Sequence, residues 1–323
     1  MAYFKYIPFD RFASLRSGRI RFTQPGAFND PFEMPAFKAK EAEDMRRAAG
    51  LSGLTMQTAD IQQGLSQGRI PEAAYIPPIY YFMGLAPPRQ EKVVPSVQAI
   101  DKLKAIDHEF GILSLSMTAD NLLLWAHYAA EHRGLAVEID PTGAEFNRHT
   151  LRDQDFESAG PVKYSSVRPK IPETDEILFQ HFFVKSPEWA YEREYRIVRK
   201  LESALERKPA RPETKAAEPK AEAGGPETNA PERLPVYLYD LPATAIRKVI
   251  FGARVVTEQR IALIRETSAD PAFGHVKFGE AVLDPGRFKV ALRDVTLDDL
   301  ERSAKSELFQ QAVPVMQLPR EQA

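Results

Sequence analysis

A stretch that cannot contribute to a folded core lies between two strand-like segments, and this arrangement limits the folds open to the chain. Residues 203–233 are rich in Pro, Glu, Lys, Ala and Gly and offer little apolar surface to offset the entropy of ordering. Strand-like sequence stands on both sides, at Tyr195–Val198 and Leu234–Leu238. We therefore predict a single domain, residues 1–302, that contains a disordered insertion and is followed by a loosely attached tail, residues 303–323.

Short strand patterns and helical patterns alternate along this domain. Tyr3–Ile7 is strand-like, a helical segment follows and ends near Gly18, and Arg19–Thr23 alternates polar and apolar residues as a half-buried strand does. Residues 41–104 mix helical patches with proline pairs and predict helices and loops that cover one side of a sheet.

The middle of the chain gives clearer patterns. Gly111–Ser116 and Leu135–Ile139 are predicted strands, and a helix capped by Thr118 or Asp120 is predicted to run to about His132. Further strands are predicted at residues 162–164, 195–198, 235–239 and 246–251, and a further helix at residues 257–267. The fold class is α+β, with short-stranded mixed or antiparallel sheets and flanking helices.

Composition excludes several classes of protein. The 323 residues are 43% hydrophobic and 27% charged, which is typical of a globular protein. The formal net charge of −2 gives no overall basic field for nucleic acid, although a local basic cleft stays an alternative. No cysteine is present, so disulfides, thiol catalysis and cysteine metal sites are excluded. The start of the chain lacks a secretory pattern and no apolar run could cross a bilayer, so a cytoplasmic protein without a membrane partner is expected.

Three short segments concentrate the residues that could carry chemistry. They are Phe28–Glu33, Trp125–Tyr128 with Glu131–Gly134, and Glu188–Arg196, and they contain both tryptophans and two of the six histidines. Carboxylate, imidazole and guanidinium groups are costly to bury without partners. Their concentration predicts one site assembled from distant parts of the chain.

The second segment predicts a flat aromatic wall. Trp125, Tyr128 and His132 are spaced to share one helical face, where they could bind a planar heterocycle. The alternative is that the two aromatic residues are core anchors and that His132 is an ordinary, partly exposed histidine.

The third segment places charges in a row. In a strand, Glu192, Glu194 and Arg196 would point to one side, where they could hold a ribose hydroxyl or stabilise a cationic transition state. If they are buried together, like-charge repulsion should raise one carboxylate pKa. The alternative is a solvated ladder of salt bridges.

The first segment and two lysines supply further candidates. Asn29 and Asp30, followed by proline, indicate a turn that is either structural or functional, and Lys5 and Lys185 could contact an anion. No histidine pair has metal-ligand spacing, although a magnesium site built from Asp30 and the two glutamates stays an alternative. Glycine-rich phosphate loops and a serine nucleophile elbow are absent from the sequence.

In chain order these segments resemble the bacterial domain-of-unknown-function family numbered 2971. That pattern has a lysine-tyrosine strand, a helix ending in glycine, F-N-D-P-F, W-x-H-Y-A, H-x-G and K-x-x-x-W-x-x-E-x-E-x-R. The matching residues here are Lys5-Tyr6, Gly18, Phe28–Phe32, Trp125–Ala129, His132 with Gly134, and Lys185–Arg196, with Ile250–Gly252 as a closing strand.

The succession of elements is also similar, more distantly, to ADP-ribosyltransferases, which hold NAD in a cleft between two small sheets. This resemblance implies a split sheet, with Glu194 or Glu192 as the catalytic carboxylate and Trp125 or Tyr128 stacked on nicotinamide. Arg196, Lys5 or Asn29 would hold phosphate or ribose, and the predicted cofactor-binding set also contains His132 and Asp30. The chain has no unambiguous histidine-tyrosine-glutamate or arginine-serine-glutamate triad.

Three functions follow as hypotheses. The first is an NAD-using ADP-ribosyltransferase-like enzyme that modifies a macromolecule, in phage defence or as a toxin. The second is a non-catalytic module that recognises a nucleotide or a modified base through the same residues. The third is a metal-dependent nuclease that uses Asp30 and the glutamates.

Overall fold

A mostly antiparallel sheet organises the chain. The computed structural model describes residues 1–33, 35–48, 97–142, 157–169, 179–209 and 234–312. The strands, in chain order, are β1 (Tyr3–Ile7), β2 (Arg19–Phe22), β3 (Phe110–Ser116), β4 (Leu135–Ile139), β5 (Glu157–Pro161), β6 (Lys163–Tyr164), β7 (Val184–Lys185), β8 (Glu194–Lys200), β9 (Glu206–Lys208), β10 (Val236–Asp240), β11 (Ile246–Phe251), β12 (Lys277–Leu283) and β13 (Val290–Asp294).

Helices flank these strands. They are α1 (Phe12–Arg16), α2 (Pro35–Ala48), α3 (Val97–Glu109), α4 (Leu122–Tyr128), α5 (Thr257–Ser268) and α6 (Leu297–Ala312). Short 3-10 helices connect several elements, and one of them, Pro187–Glu192, is separated from β8 by Arg193 alone.

Eight strands form the main sheet in the order β13-β12-β11-β4-β1-β3-β8-β5. All its neighbours pair antiparallel except β11 and β12, which are parallel. Strands β2, β10 and β9 form a second sheet, and β6 pairs with β7. The predicted α+β class is confirmed.

Both faces of the main sheet are covered, because residues alternate between two apolar layers along each central strand. In β3, Leu113 and Leu115 enter the larger core, whereas Ile112 packs with α2 and α3 on the opposite face. In β4, Val137 enters the larger core and Ala136 packs with Trp125 from α4. The patterns that predicted these strands therefore reflect two-sided burial.

Two predicted boundaries are corrected by the structure. Residues 203–209, predicted as disordered, include β9, which pairs with β10 and is the third strand of the second sheet. Residues 303–312, predicted as a loose tail, belong to α6, whose Leu300 is buried against the larger core. The rest of the predicted insertion, residues 210–233, and of the tail, residues 313–323, lie outside the described residues, as do 49–96 in the predicted helix-and-loop region.

Within the described ranges, none of the helices combines the length and apolar character that a membrane crossing requires. The cytoplasmic location stays a prediction.

Candidate functional site

A cavity of about 330 Å³ opens where strands β1, β3 and β8 meet α4 and the loop that follows β2. Its volume is at the lower end of the range for small-molecule sites. The wall combines apolar and charged side chains: Phe4, Lys5, Tyr6, Thr23, Ala27, Phe28, Asn29, Glu33, Ser114, Leu115, Ser116, Leu124, Tyr128, Lys185, Glu192, Glu194 and Arg196.

Buried charges form the polar side of this cavity. Lys185 Nζ lies 2.7 Å from a carboxylate oxygen of Glu192, 3.4 Å from Glu194 and 3.5 Å from Glu33. Arg196 donates to both carboxylate oxygens of Glu194, at 2.8 and 2.9 Å, and also bonds to Glu33. These five side chains, which we call the charge network, are each less than a tenth exposed.

Local backbone geometry assembles the network. Glu194 and Arg196 alternate to one face of β8, as the sequence predicts. Glu192 was predicted on the same strand, but it ends the preceding 3-10 helix. The chain then turns through Arg193 at φ 45°, a left-handed conformation, before β8 begins. The hydroxyl of Ser116 donates to the backbone oxygen of Glu192 at 2.7 Å and holds that turn against β3.

The network separates the pKa values of its carboxyls. Burial opposes ionisation of Glu194, but the charges of Arg196 and Lys185 and hydrogen bonds from Arg196 and Ser114 outweigh it and lower its pKa to about 2. For Glu33, burial dominates and raises the pKa despite Arg196 and Lys185. The rise predicted for a carboxylate of the row is not seen at Glu194, whose pKa falls; the raised pKa belongs to Glu33, and burial rather than like-charge repulsion is its main cause.

For the two cations of the network, burial and neighbouring charges shift the pKa in the directions opposite to those for the carboxyls. Burial alone would lower the pKa of Arg196 and of Lys185, but the neighbouring carboxylates outweigh it and raise both. Both side chains are therefore charged at neutral pH, and they offset the charge of the glutamates around them.

Lys5 is the cation of the cavity with the most free donor capacity. Its Nζ donates to the backbone oxygen of Ser114 at 2.9 Å, and it makes no ion pair with any residue that the structure describes. Burial lowers its pKa to about 8, against the attraction of Glu194. An ammonium group with three donors and one bond can accept an anion from a ligand.

Tyr128 and Asn29 form the side of the cavity nearest to solvent. The Tyr128 hydroxyl donates to Glu192 at 2.6 Å and lies 3.4 Å from Asn29 Nδ2. Burial and the bond to Glu192 raise the pKa of Tyr128, so it stays a donor. Phe28 lies under the Arg196 guanidinium, with 5.2 Å to the ring centroid.

Trp125 is a core residue behind the cavity and is not part of its wall. It is fully buried, its ring nitrogen donates to the backbone oxygen of Ala119 at 2.8 Å, and it meets Tyr6 edge-on at 5.1 Å. The core alternative therefore describes Trp125, and Tyr128 is the aromatic residue that faces the cavity.

His132 does not share a helical face with Tyr128, and that prediction is wrong. Helix α4 ends at Tyr128, and Ala130, Glu131 and His132 all have positive φ, which stops the helix. The His132 ring stacks on Trp125 with centroids 6.3 Å apart, and the residue is not part of the cavity wall.

Two glycines allow backbone segments to approach each other closely at this left-handed turn. A Cβ on Gly134 would lie 2.2 Å from the backbone oxygen of Ile7, and one on Gly252 would lie 2.2 Å from that of His132. The backbone nitrogen of Arg254 also donates to His132 at 3.0 Å. The H-x-G motif and the closing Ile250–Gly252 strand thus have a structural explanation in a close backbone crossing.

Asp30 forms the predicted turn. One carboxylate oxygen accepts from the backbone nitrogen of Phe32 at 2.9 Å, and the side chain is buried without lining the cavity. Asp30 therefore does not join Glu192 and Glu194 in a shared site. In the described part of the chain, no group of three or more potential ligands is placed to hold a metal ion.

The sequence reasoning missed Glu33, Ser114 and Ser116. Glu33 follows the conspicuous Asn-Asp-Pro turn, and its only signal was that it lies within the first of the three segments. The serines lie directly across from the charged row, since Ser114 pairs with Arg196 and Ser116 with Glu194. Knowledge of the strand neighbours would have revealed them.

Residues 124–197 match the model of a family described as "Protein of unknown function (DUF2971)". This match bears out the predicted resemblance to that family over these 74 residues. The DUF2971 segment contains Tyr128 and four of the five network residues, whereas Lys5, Asn29 and Glu33 lie outside it. No curated protein and no solved structure matches the chain.

Proposed function

We propose that the protein is an ADP-ribosyltransferase-like enzyme that uses NAD and modifies a macromolecule. The observation that carries the proposal is the convergence of Lys5, Ser114 and Glu194 on one cavity. An arginine-serine-glutamate triad is expected of one class of such enzymes, and here a lysine takes the place of the arginine. The three residues meet because β1, β3 and β8 are neighbours in the sheet, although they are distant in the chain.

The reaction requires stabilisation of positive charge. The bond between the ribose and the nicotinamide nitrogen breaks, nicotinamide leaves with the bonding electrons, and a nucleophile of the target bonds to the same carbon and loses its proton. The carboxylate of Glu194 stays ionised throughout the neutral range and is held in place by Arg196, so it can offset charge that develops on the ribose.

Other residues of the cavity suit the same ligand. Lys5 offers free donors to a phosphate or ribose oxygen, and Asn29 offers an amide at the exposed side. Tyr128 presents the aromatic ring, and its hydroxyl fixes Glu192. The cavity volume of about 330 Å³ is of the order expected for a site that takes a nucleoside-sized part of the dinucleotide.

The experiment that tests the proposal is a calorimetric titration of the purified protein with NAD, followed by measurement of nicotinamide release in the presence of candidate targets. We expect saturable binding by the wild type, weaker binding by Lys5→Met, and loss of nicotinamide release by Glu194→Gln. Phe288→Ala, a change at a fully exposed turn far along the chain, serves as the control and should behave as wild type. A folded wild type that does not bind NAD overturns the proposal.

A second candidate function is recognition of a nucleotide without turnover. It is favoured by the pairing of the charge network, in which every carboxylate oxygen of Glu33, Glu192 and Glu194 lies against a protein cation or the Tyr128 hydroxyl. Binding that saturates without any release of nicotinamide would support this candidate over the enzyme.

The metal-dependent nuclease receives less support. Lys185 and Arg196 already contact the carboxylates that a magnesium ion would need, and Asp30 stands apart from them. A rise in melting temperature on addition of millimolar magnesium or manganese would restore it. The roles in phage defence or as a toxin stay predictions.

A further inference from the structure

A strip of aromatic rings leads from the cavity to the surface. The ring of Tyr128 lines the cavity, and His127 lies 6.3 Å from it between centroids. Tyr191 follows at 6.5 Å from His127, and Trp189 follows at 6.0 Å from Tyr191. We call His127, Tyr191 and Trp189 the aromatic strip.

The three rings of the strip are carried by two elements that both border the cavity. His127 is exposed in the last turn of α4, and the other two rings are half-buried on the 3-10 helix that carries Glu192. Below the strip, Lys185 Nζ lies 4.7 Å from the Trp189 ring centroid, so this end of the strip is fixed to the charge network.

Two exposed basic residues lie on elements next to the strip. Arg193 follows the 3-10 helix. Lys163 lies on β6 next to Tyr164, whose hydroxyl oxygen accepts a hydrogen bond from the backbone N–H of Glu194. Both are exposed, and neither forms an ion pair within the described residues, whereas the exposed Arg133 and Arg168 are paired with Glu131 and Glu41. Rings that can stack on bases, beside cations that can meet phosphates, are the features of a surface that binds single-stranded nucleic acid.

We propose that the aromatic strip, with Arg193 and Lys163, binds unpaired nucleotides of a single-stranded nucleic acid and presents one of them to the cavity. For the chemistry at the cavity, this surface rests on the proposed function. It specifies the macromolecular target of that enzyme as a single-stranded nucleic acid. Binding should be strongest at low salt, where the attraction of Arg193 and Lys163 for phosphate is least screened, and the exposed Glu188 next to Trp189 should weaken it by repulsion.

The test is fluorescence anisotropy with a labelled single-stranded DNA of about twelve nucleotides, and with the RNA of the same sequence, at several salt concentrations. Trp189→Ser should weaken binding about tenfold, because loss of one stacked base is worth a factor of this order. Trp189→Phe keeps a ring and should bind nearly as wild type. Arg193→Ser and Lys163→Ser should each reduce the slope of log affinity against log salt by about 0.7, the value for one phosphate contact on a single strand.

Two controls separate this surface from general effects. Phe288→Ala removes a fully exposed ring elsewhere and should leave binding unchanged. Glu188→Gln removes the opposing charge and should strengthen binding. Emission adds a direct readout: Trp125 is fully buried, so quenching by the oligonucleotide should vanish in Trp189→Phe.

The outcomes distinguish this proposal from the proposed function. Oligonucleotide binding that depends on Trp189 and Arg193 supports the surface even if NAD does not bind, in which case only the enzyme proposal fails. A wild type that binds NAD but neither nucleic acid at low salt overturns the surface and leaves the enzyme. Equal binding by wild type, Trp189→Ser and Arg193→Ser likewise overturns it.

Discussion

Removal of the Arg196 guanidinium, by Arg196→Met, tests whether the charge network holds the cavity together. The change keeps an unbranched side chain of similar reach but leaves Glu194 and Glu33 buried without their main partner. Arg196 is 1% exposed and makes two bonds to Glu194, one to Glu33 and one, at 2.7 Å, to the backbone oxygen of Phe182. We expect the free energy of unfolding to fall by about 3–5 kcal/mol, the cost of breaking a buried ion pair from one side.

The depressed pKa of Glu194 gives the same interaction a pH dependence. Its value in the folded protein is about 2, against 4.5 for the free group. A depressed pKa stabilises the folded state above pH 4.5, and this contribution is lost as the pH falls towards 2. The shift corresponds to roughly 3 kcal/mol, which agrees with the cost of removing the partner.

Urea unfolding of wild type and Arg196→Met at pH 7 and pH 3, followed by tryptophan emission, measures both effects. Wild type should lose stability through Glu194 as the pH falls, whereas the variant should lose much less, since its Glu194 no longer has a strongly depressed pKa. The double variant Arg196→Met with Glu194→Gln should recover part of the loss, because it removes the unpaired buried charge. A cost below about 1 kcal/mol for Arg196→Met, with no recovery in the double variant, would refute the reasoning.

Three further predictions concern the same region. Gly252→Ala should lower the free energy of unfolding by about 1–3 kcal/mol, because its Cβ would meet the His132 backbone oxygen at 2.2 Å. Gly274→Ala, where the nearest atom is 3.6 Å away, is the matched control. Equal urea midpoints for the two variants would contradict the prediction. NAD affinity should fall as the pH rises from 7 to 9, because Lys5 loses its proton near pH 8 and with it the charge that holds an anion; a titration series in which Lys5→Met keeps the same pH dependence would contradict this. Trp125→Phe should cost about 1–3 kcal/mol in urea unfolding, because the Ala119 carbonyl loses its donor, and should leave NAD affinity close to wild type; a large loss of affinity in the folded variant would return Trp125 to the binding site.

The regular elements could be predicted from the sequence where burial repeats with a fixed period. Leu113, Leu115 and Ile112 alternate between two cores, and the strand pattern at this position indicates that alternation directly. The end of α4 was predicted four residues too late. The apolar and aromatic spacing continues to His132, but the chain leaves the helix there because it must cross Gly134 and Gly252 at close range. A contact with a strand more than a hundred residues away leaves no local signal.

Some of the residues that line the cavity could be named from the sequence, but its geometry could not. The sequence identified Glu194, Arg196, Tyr128 and Lys5, and the structure brings all four to one cavity. Their convergence depends on the order β1-β3-β8, which no periodicity within one strand can specify. Trp125 was misplaced because helical spacing shows that two rings share a face, not which of them lies at the edge of that face.

The position of the charge network in the sheet favours a functional origin over a structural one. Well-packed apolar side chains at the centre of a fold commonly provide as much stability as a buried ion pair, without the cost of desolvation. Here Glu194 and Arg196 lie on β8 beside β3, in the interior of the main sheet, and the opposite face of the same strands is filled by Leu113, Leu115 and Ile197. The face of β8 that carries Glu194 and Arg196 borders the cavity, so these two costly residues lie where a ligand could use them.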